Sequence, residues 1–321
     1  MPASQSEAGR PLAALTGGTG FLGRYIVHAL ARAGWRLRLL TRNEPMHPLT
    51  ADIPTELVLG DLSDADALER LCAGADLVVH AAGLIRARNR AGFFAVNADG
   101  SARLARAVAK AAPGARMIVL SSMAAREPQL SDYAASKHAG EVSVRENAPG
   151  PVTFLRPSAI YGRWDRATFP LFKMAENGLV FTPNIPDARA CLIEASDVAR
   201  AVVAVAGAEA HDATYELCDE TLGGYSWREI ALAAGRAAGK RPRIVTIPVW
   251  TCATAGFALE NLARLTGEAP VLSRGKIREM RHGDWSSSVA HQPPPAIWRP
   301  EVTLETGFLT TLLWYKSENW L

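Results

Sequence analysis

The feature that most constrains the fold is a glycine-rich turn, TGGTGFLG at residues 16–23, between a short apolar run and an amphipathic pattern. Gly17 permits a tight strand-to-helix turn, and Gly20 lets the backbone approach a pyrophosphate. Gly23 lets the following helix pack against the sheet, so that its N-terminus faces the anion. Because the turn lies between a strand pattern and a helix pattern, it predicts a dinucleotide-binding βαβ unit.

The rest of the first half alternates short apolar runs with helical patterns, which indicates βαβ units and a parallel sheet. Strands are expected near residues 11–15, 36–41, 57–60, 76–80, 116–120 and 152–155, and helices over 25–33, 63–71 with Ser63 as N-cap, 96–111 and 133–146. Beyond Pro157 the pattern changes to short strands with frequent proline and tryptophan. Residues 196–206 and Leu217 are expected to return to the main sheet.

These patterns predict an α/β fold, a Rossmann-type doubly wound parallel sheet with a smaller C-terminal substrate-binding lobe. We expect a disordered N-terminus at residues 1–10 and a cofactor-binding Rossmann domain at residues 11–165. Residues 166–321 are expected to form mainly the substrate-binding lobe, with some elements returning to the Rossmann sheet.

Charge and cysteine content exclude several classes of protein. The 35 Lys and Arg residues balance 32 Asp and Glu residues, and their even distribution gives no sign of nucleic-acid binding. The four cysteines lack the spacing of a zinc site or a disulfide framework, so no metal is predicted and a reducing cytoplasm is favoured. They are Cys72, Cys191, Cys218 and Cys252. The first ten residues do not resemble a signal peptide.

Two segments bear on membrane contact. Residues 244–259 form the longest apolar run, but Pro248 interrupts it and Glu260 ends it, so a buried core helix is favoured over a membrane-associated one. The basic loop RARNR at residues 86–90 is either a solvated loop or a contact for an anionic lipid surface. The sequence leaves peripheral membrane contact open.

The end of the second strand indicates which dinucleotide is bound. NAD enzymes usually present a carboxylate there, whereas this chain has Thr41-Arg42-Asn43. Arg42 can hold a 2′-phosphate in bidentate fashion, and Glu44, the closest acid in sequence, is expected to point past the site. NADP(H) is therefore favoured over NAD(H), the alternative being that Arg42 is a solvated loop charge.

A proton-handling pair follows at YAASK, residues 133–137, where a phenol and an ammonium lie one helical turn apart. The cation of Lys137 is expected to lower the pKa of Tyr133, as would a positively charged nicotinamide. Tyr133 can then donate a proton to a carbonyl oxygen as hydride arrives. The hydroxyls of Ser121 and Ser122 precede this helix and could bind the same oxygen.

Six ordered landmarks together resemble the extended, or atypical, branch of the short-chain dehydrogenase/reductase superfamily. They are TGGTGFLG at 16–23, GDL at 60–62, HAAG at 80–83, NADGS at 97–101, YAASK at 133–137 and LRPSAIYG at 155–162. The resemblance implies catalytic roles for Ser122, Tyr133, Lys137 and Asn97, with Ser122 preferred to Ser121 because the second serine matches extended members. Asn97 would fix Lys137 through backbone and water, or else cap its helix.

The resemblance also implies the cofactor contacts. The glycine turn would contribute Gly17, Thr19, Gly20, Phe21, Leu22 and Gly23; later loops would contribute Arg42, Asp61, Leu62, Ala81, Ala82, Gly83, Pro157, Ser158 and Ile160, together with Tyr133 and Lys137. The adenine would lie against residues 60–62, and the riboses beside residues 80–83.

Extended members include sugar-nucleotide epimerases, dehydratases, ketone reductases and a respiratory complex I accessory subunit that binds cofactor. Met123-Ala124 stand where the dehydratases place an acid pair, and Arg42 departs from the acid of NAD-dependent epimerases. Net reduction of a ketone by NADPH is therefore favoured. A sugar-nucleotide epimerase and a non-catalytic NAD(P)H-binding subunit remain as alternatives, the latter opposed by the intact Ser122, Tyr133 and Lys137.

The substrate is expected to be apolar, because the second half has many aromatic residues and few clustered acids. The aromatic residues in question are Trp164, Phe169, Phe172, Phe181, Trp250 and Phe257. Residues 276–285 and 310–315 resemble bacterial reductases associated with sphingolipid synthesis, of the ceramide reductase type. This resemblance implies a small-molecule lipid substrate, with reduction of the 3-keto group of a 3-ketosphinganine or an oxidised ceramide. The oligomeric state stays undetermined.

Overall fold

A computed structural model describes residues 9–43, 47–249, 251 and 273–321. Most of the expected disordered N-terminus therefore lies outside the described residues, as do Glu44, Trp250, Cys252 and Phe257.

The central sheet has seven strands, and every neighbouring pair in it is parallel. Its strands are β1 Leu12–Thr16, β2 Arg36–Thr41, β3 Thr55–Leu59, β4 Leu77–His80, β5 Arg116–Leu120, β6 Val152–Pro157 and β11 Ala213–Leu217. Their order across the sheet is β11-β6-β5-β4-β1-β2-β3. The order of the strands across the sheet reverses between β1 and β4: β2 and β3 lie on one side, and β5 and β6 on the other. The carboxyl ends of β1 and β4 therefore lie beside a crevice, where such sheets bind ligands.

Helices cover both faces of this sheet, as the expected doubly wound fold requires. The α-helices among the described residues are α1 Phe21–Arg32, α2 Ala65–Cys72, α3 Arg90–Phe94, α4 Ser101–Ala111, α5 Asp132–Asn147, α6 Phe169–Glu176, α7 Ala195–Gly207, α8 Trp227–Ala237, α9 Arg274–Arg281 and α10 Leu304–Ser317. Helices α1 and α7 pack together on one face, and α2, α4 and α5 form the layer on the other. Successive residues of β1 alternate between the two cores: Ala13 and Leu15 face α1 and α7, whereas Ala14 faces α2 and α4.

The glycine turn has the geometry that its sequence predicts. Gly17 has a φ of 73°, and a Cβ atom there would lie 2.5 Å from the backbone carbon of Ala81. A Cβ atom at Gly23 would collide with the carbonyl oxygen of Gly17. The turn and the packing of α1 therefore both require glycine.

Three local expectations were wrong. Asp64, not Ser63, caps α2, and its side chain accepts a hydrogen bond from the Ala67 amide, because the Ser63 hydroxyl instead donates to Asp61. The helix expected at 96–111 begins with a π-helical segment, Ala95–Gly100, so Asn97 lies inside the helix and is not a cap. Strand β6 continues through Pro157, which is tolerated there because it is the last residue of the strand.

The smaller lobe contains three two-stranded parallel sheets. They pair β7 Ala159–Tyr161 with β10 Leu192–Glu194, β8 Leu179–Pro183 with β12 Arg243–Ile247, and β9 Arg189–Ala190 with β13 Asp284–Trp285. Strand β12 corrects the core helix expected from residue 244 onward; most of that segment lies outside the described residues. Strand β11 and helix α7 do return to the main sheet. The domain boundary at residue 165 stays a prediction.

The aromatic residues of the second half lie mainly in the lobe's own core and C-terminal cluster. Phe172 is fully buried and packs against Phe308 and Tyr315. Phe169 packs edge-to-face against Tyr315 and Trp320. These side chains stabilise the lobe and are not evidence for an apolar substrate pocket.

Within the described ranges, no helix has the length and hydropathy needed to cross a membrane. Over the same residues, no group of three or more His, Cys, Asp or Glu side chains lies together in a way that could hold a metal ion.

Candidate active site

The start of α1 offers backbone N–H groups to an anion. Its N-cap is Gly20, which has no side chain to bond the first turn, and that turn contains no acidic residue. The first amides of a helix have no intrahelical partner. Thr19, Phe21 and Leu22 are partly exposed around this end of α1. The glycine cradle and the uncapped amides therefore fit a dinucleotide pyrophosphate.

Arg42 lies at the end of β2 with its side chain exposed. The charge of Arg42 contributes to lowering the pKa of Asp61, after the stronger hydrogen bonds from Ser63. The Asp61 carboxylate accepts from the Ser63 amide at 2.7 Å and from its hydroxyl at 2.5 Å. A carboxylate more distant in sequence than Glu44 therefore interacts with the charge of Arg42.

The other expected cofactor contacts lie around the same crevice with differing exposure. Leu62 is 9% exposed and its carbonyl oxygen accepts a hydrogen bond from Arg103, so little of its surface is available to a cofactor. Ala81 and Ala82 are partly exposed and Gly83 is exposed, at the carboxyl end of β4. Near β6 and β7, Pro157 is buried whereas Ser158 and Ile160 are partly exposed.

Tyr133 and Ser122 are brought together by the structure. The Ser122 side chain lies beside the Tyr133 phenol, close enough to act on its pKa, and its hydroxyl oxygen accepts from the Ala124 amide at 3.2 Å. Ser122 therefore caps a short turn and lies next to the phenol at the same time. Ser121 is buried and its hydroxyl bonds Glu141 instead; the choice of Ser122 over Ser121 as the catalytic serine stays a prediction.

Lys137 lies one turn beyond Tyr133 on α5, and its Nζ donates to the Leu120 carbonyl oxygen at 2.7 Å. A Cβ atom at Gly83 would lie 3.5 Å from this Nζ and 3.2 Å from Asn97 Oδ1. Gly83 therefore keeps open a space bounded by two of the expected catalytic residues. Burial lowers the pKa of Lys137 to about 8, although Glu141 opposes the shift.

The pKa of Tyr133 differs from the expectation. Burial raises it to about 12; the Ser122 side chain opposes this and the charge of Glu279 adds to it. The expected lowering by Lys137 is not among the causes of the shift, and desolvation of the phenolate has the largest effect. The protein alone thus holds Tyr133 in its protonated form at neutral pH.

Asn97 connects three segments of the site. Its side-chain oxygen accepts from the Leu84 amide at 2.7 Å, and its nitrogen donates to the Leu84 carbonyl at 3.0 Å. The same nitrogen donates to Ser136 Oγ at 2.9 Å, and the Ser136 hydroxyl donates to the Tyr133 carbonyl at 2.7 Å. Asn97 therefore holds the loop after β4 against the helix that bears Tyr133 and Lys137.

His80 extends this network to the glycine turn. The Ser101 hydroxyl donates to the Asn97 carbonyl oxygen at 2.7 Å, so the His80 Nε2–H must donate to Ser101 Oγ, 2.8 Å away. His80 Nδ1 then accepts from the Thr16 hydroxyl at 2.6 Å, and Thr16 Oγ1 accepts from the Ala82 amide at 3.3 Å. Burial, with Lys137, lowers the pKa of His80 to about 3, so the ring is neutral.

Sequence reasoning missed several residues of this site. Glu141 is buried and pairs with Arg156 at 2.6 Å, directly beneath Ser121. The only signal was that Glu141 lies one turn after Lys137 on the same helix face. The ring of Phe93 lies 6.1 Å from that of Tyr133 and gives the phenol an apolar neighbour. Glu279, on α9, forms a hydrogen bond with Ser131, the N-cap of α5. The two residues are 148 positions apart in the sequence, so no local pattern could indicate this contact.

Comparison with known proteins shows the family of the chain. The model of the NAD dependent epimerase/dehydratase family matches residues 13–218. The chain is 43% identical over 313 residues to the ceramide reductase of Caulobacter vibrioides, covering 97% of this chain and 96% of that protein. It is 30% identical over 249 residues to the mitochondrial NADH-ubiquinone oxidoreductase 40 kDa subunit of Neurospora crassa, covering 76% of this chain and 64% of that protein.

Solved structures agree on the fold. The UDP-glucose 4-epimerase of Thermotoga maritima superimposes with a TM-score of 0.70 at 17% identity, covering 96% of this chain and 99% of that one. At such identity the likeness concerns the fold alone. On the family match and the near full-length relative, the chain belongs to the NAD dependent epimerase/dehydratase family and is an NAD(P)-dependent enzyme of the extended short-chain dehydrogenase/reductase type.

Proposed function

We propose that this enzyme reduces a ketone on an apolar lipid, of the 3-ketosphinganine or oxidised ceramide type, with NADPH as reductant and Tyr133 as general acid. The observation that supports this most directly is the placement of the Ser122 side chain beside the Tyr133 phenol, with Lys137 one turn further along the same helix. A group that keeps its proton at neutral pH can donate it, which is what the carbonyl oxygen needs during reduction.

The residues of this chain have distinct parts in the reaction. A reduced nicotinamide, when bound, supplies the hydride to the carbonyl carbon. The Tyr133 hydroxyl transfers its proton to the carbonyl oxygen, and the Ser122 hydroxyl holds that oxygen beside the phenol. Lys137, with a pKa of about 8, is positively charged near neutral pH and stabilises the phenolate that forms. Asn97 holds the loop at Leu84 against α5 by hydrogen bonds to both.

The preference for NADPH rests on Arg42. Its exposed guanidinium at the end of β2 is the group that a 2′-phosphate would bind in bidentate fashion. The Asp61 carboxylate close to it also allows a ribose hydroxyl to be bound, so we propose a preference for NADPH and not strict exclusion of NADH.

The lipid substrate is proposed from two observations. The first is the near full-length likeness to a ceramide reductase. The second is the apolar surroundings of Tyr133, where Phe93 lies against the phenol and the buried Met123 follows Ser122. Met123-Ala124 also stand where a dehydratase would need acids.

We place the enzyme in the cytoplasm. The support for this is the spacing of the four cysteines, which fits neither a disulfide framework nor a zinc site and suits a reducing compartment.

Turnover assays test the proposal. Purified protein with NADPH is offered a keto-sphingoid base, an oxidised ceramide, a steroid ketone and a UDP-sugar, and loss of reduced nicotinamide is followed by absorbance. We expect oxidation of NADPH with the sphingoid ketones. Tyr133→Phe is expected to lower that rate at least about 100-fold while binding of NADPH, measured by fluorescence, is retained. Tyr215→Phe, at a partly exposed hydroxyl on β11 that bonds His211, is the matched control and should react normally.

The two alternatives give different results in the same assays. Interconversion of UDP-sugars without net consumption of NADPH would make the protein an epimerase. Tight cofactor binding with no turnover of any ketone would make it a binding subunit, as the similarity to the complex I subunit would suggest. Either result would overturn the proposed reduction.

A further inference from the structure

An exposed apolar pair lies at the edge of the active site. Leu84 is 37% and Ile85 is 68% exposed. The next exposed side chains along the loop are Arg86 and Arg88. We call residues 84–90 the rim loop.

The rim loop is fixed at both ends, so its exposure does not arise from a loose segment. At one end, the Asn97 side chain bonds both the amide and the carbonyl of Leu84. At the other, Arg90 pairs with Asp132 at 3.0 Å and lies over the ring of Phe94 at 4.3 Å. The backbone of the rim loop is therefore fixed at both ends, and it exposes the Ile85 side chain to solvent.

The charge around this apolar pair is positive. In the part of the chain that the structure describes, Arg86 and Arg88 form no ion pair. Helix α9 brings the exposed Lys276 and Arg278 to the same end of α5, because the Arg278 Nε donates to the Leu130 carbonyl. The acids there are largely engaged: Asp132 pairs with Arg90, and Glu279 pairs with Lys276.

We propose that the rim loop docks the enzyme on an anionic phospholipid surface, with Ile85 and Leu84 inserted among the acyl chains and Arg86 and Arg88 at the phosphates. An apolar tip flanked by cations matches the layering of a bilayer interface. A protein partner is less well matched, because this surface offers no exposed tryptophan or tyrosine among residues 84–90 to act as an anchor.

The rim loop lies next to the site where a lipid ketone would react, so docking would bring the enzyme to its substrate. This role for the docking surface rests on the proposed function. Ile85 follows the residue that Asn97 holds, and Asn97 also bonds Ser136, next to Lys137. A lipid ketone could therefore pass from the bilayer to Tyr133 without crossing bulk water. The docking surface itself needs no lipid substrate.

Vesicle co-sedimentation tests the surface. The full chain is mixed with vesicles of phosphatidylcholine alone or with phosphatidylglycerol added, at low and high salt. We expect binding only to the anionic vesicles, reduced by salt. Each cation near an anionic membrane strengthens binding about fivefold, so Arg86→Gln with Arg88→Gln should weaken it about thirtyfold. Ile85→Gln should weaken it about tenfold and leave the salt dependence unchanged.

Matched controls remove similar side chains elsewhere. Leu313→Gln acts on an exposed leucine of α10, and Arg241→Gln on an exposed arginine after α8; both should bind vesicles like the unaltered protein. Equal binding by all variants, or no binding to anionic vesicles, would contradict the proposal that the rim loop is a docking surface. Capture of an acidic protein in place of vesicles would overturn the lipid assignment.

Activity separates this surface from the proposed function. Ile85→Gln should reduce a water-soluble short-chain ketone at the normal rate and a vesicle-embedded ketone more slowly. If the protein binds vesicles through the rim loop but reduces no ketone, the proposed function fails and the docking surface stands.

Discussion

The carboxylate of Glu141 accepts two hydrogen bonds from Arg156, from Nε at 2.8 Å and from Nη2 at 2.6 Å. Glu141 lies on α5 and Arg156 on β6, and the Ser121 hydroxyl donates to the same carboxylate at 2.5 Å. This buried group therefore joins the helix that carries Tyr133 and Lys137 to the sheet beside Ser121. Its sequence signal is weak because the two partners are 15 residues apart on different elements.

Glu141→Gln should lower the free energy of unfolding by about 3 kcal/mol, because removing one member of a buried pair leaves the other charge without compensation. Glu69→Gln is the control: Glu69 pairs with Lys110 at 2.6 Å on the surface, and such pairs contribute less than about 1 kcal/mol. Denaturant unfolding of both variants measures the difference. Equal losses would show that the Glu141 pair is no more important than a surface one.

His80 should make stability depend on acidic pH. Its pKa is lowered from 6.5 to about 3 in the folded protein, so between these values the unfolded chain binds more protons. The free energy of unfolding should therefore fall as pH falls from about 6.5 toward 3, with a maximum slope from this group of about 1.4 kcal/mol per pH unit.

His80→Gln removes that titration while keeping a side chain that can hydrogen-bond Thr16 and Ser101. The variant should be less stable at pH 7 but should lose less stability on acidification than the unaltered protein. Unfolding curves at several pH values measure both slopes. Parallel slopes would mean that His80 is not held neutral by the fold.

The sheet and the glycine turn could be expected from the sequence because their signals are local. Strand β2 matches its expected bounds, 36–41, and β5 its bounds, 116–120. Strand β2 begins with alternating arginine and leucine, and β5 is an apolar run followed by two serines. The contact between Tyr133 and Ser122 joins two residues that the family resemblance had indicated. The Glu279–Ser131 bond has no such signal, because the lobe's docking on α5 depends on the whole tertiary fold.

Errors arose where a local rule had a close competitor. Ser63 was expected as an N-cap, but Asp64 is equally suited to that position and takes it, leaving Ser63 to bond Asp61. The pKa of Tyr133 was expected to be lowered because Lys137 is near in sequence. Burial, which a sequence does not display, has the larger effect.

Lys137 should make the free energy of unfolding depend on pH in the alkaline range. Its pKa is lowered from 10.5 to about 8, so the unfolded chain binds more protons between these values, and stability contributed by this group should rise with pH across that window. Lys137→Met should be more stable than the unaltered protein at pH 7, with the difference shrinking toward pH 10. Thermal or denaturant unfolding at pH 7 and above follows the difference; a constant gap would contradict the lowered pKa.

Arg42 and Asp61 should affect cofactor choice in opposite directions. Arg42→Ala should weaken NADPH binding at least about tenfold and NADH binding much less, because a charged bidentate contact is lost. Asp61→Asn should strengthen NADPH relative to NADH, since it removes a negative charge close to the same guanidinium. Fluorescence titrations with both nucleotides measure the ratios. Equal losses for both nucleotides in Arg42→Ala would remove Arg42 from phosphate binding.

Alanine substitutions at Gly17 and Gly34 can separate two reasons for glycine: a positive φ, and the close contact of Gly17 with the backbone of Ala81. Both have positive φ, 73° and 89°, so alanine is strained at either position by about 1 kcal/mol. At Gly34 an added Cβ meets nothing within 4 Å, whereas at Gly17 it would lie 2.5 Å from the backbone carbon of Ala81. Gly34→Ala should therefore cost only the strain.

Gly17→Ala must also push β4's outgoing loop away from β1, and we expect it to lose several times more stability than Gly34→Ala. Because Ala82 and Gly83 continue that loop beside Asn97 and Lys137, the shift should also weaken NADPH binding in whatever protein remains folded. Thermal unfolding, followed by nucleotide titration of the folded fraction, measures both effects. If the two alanine variants lose equal stability, contact with Ala81 does not constrain this turn, and the requirement for glycine would be one of φ alone.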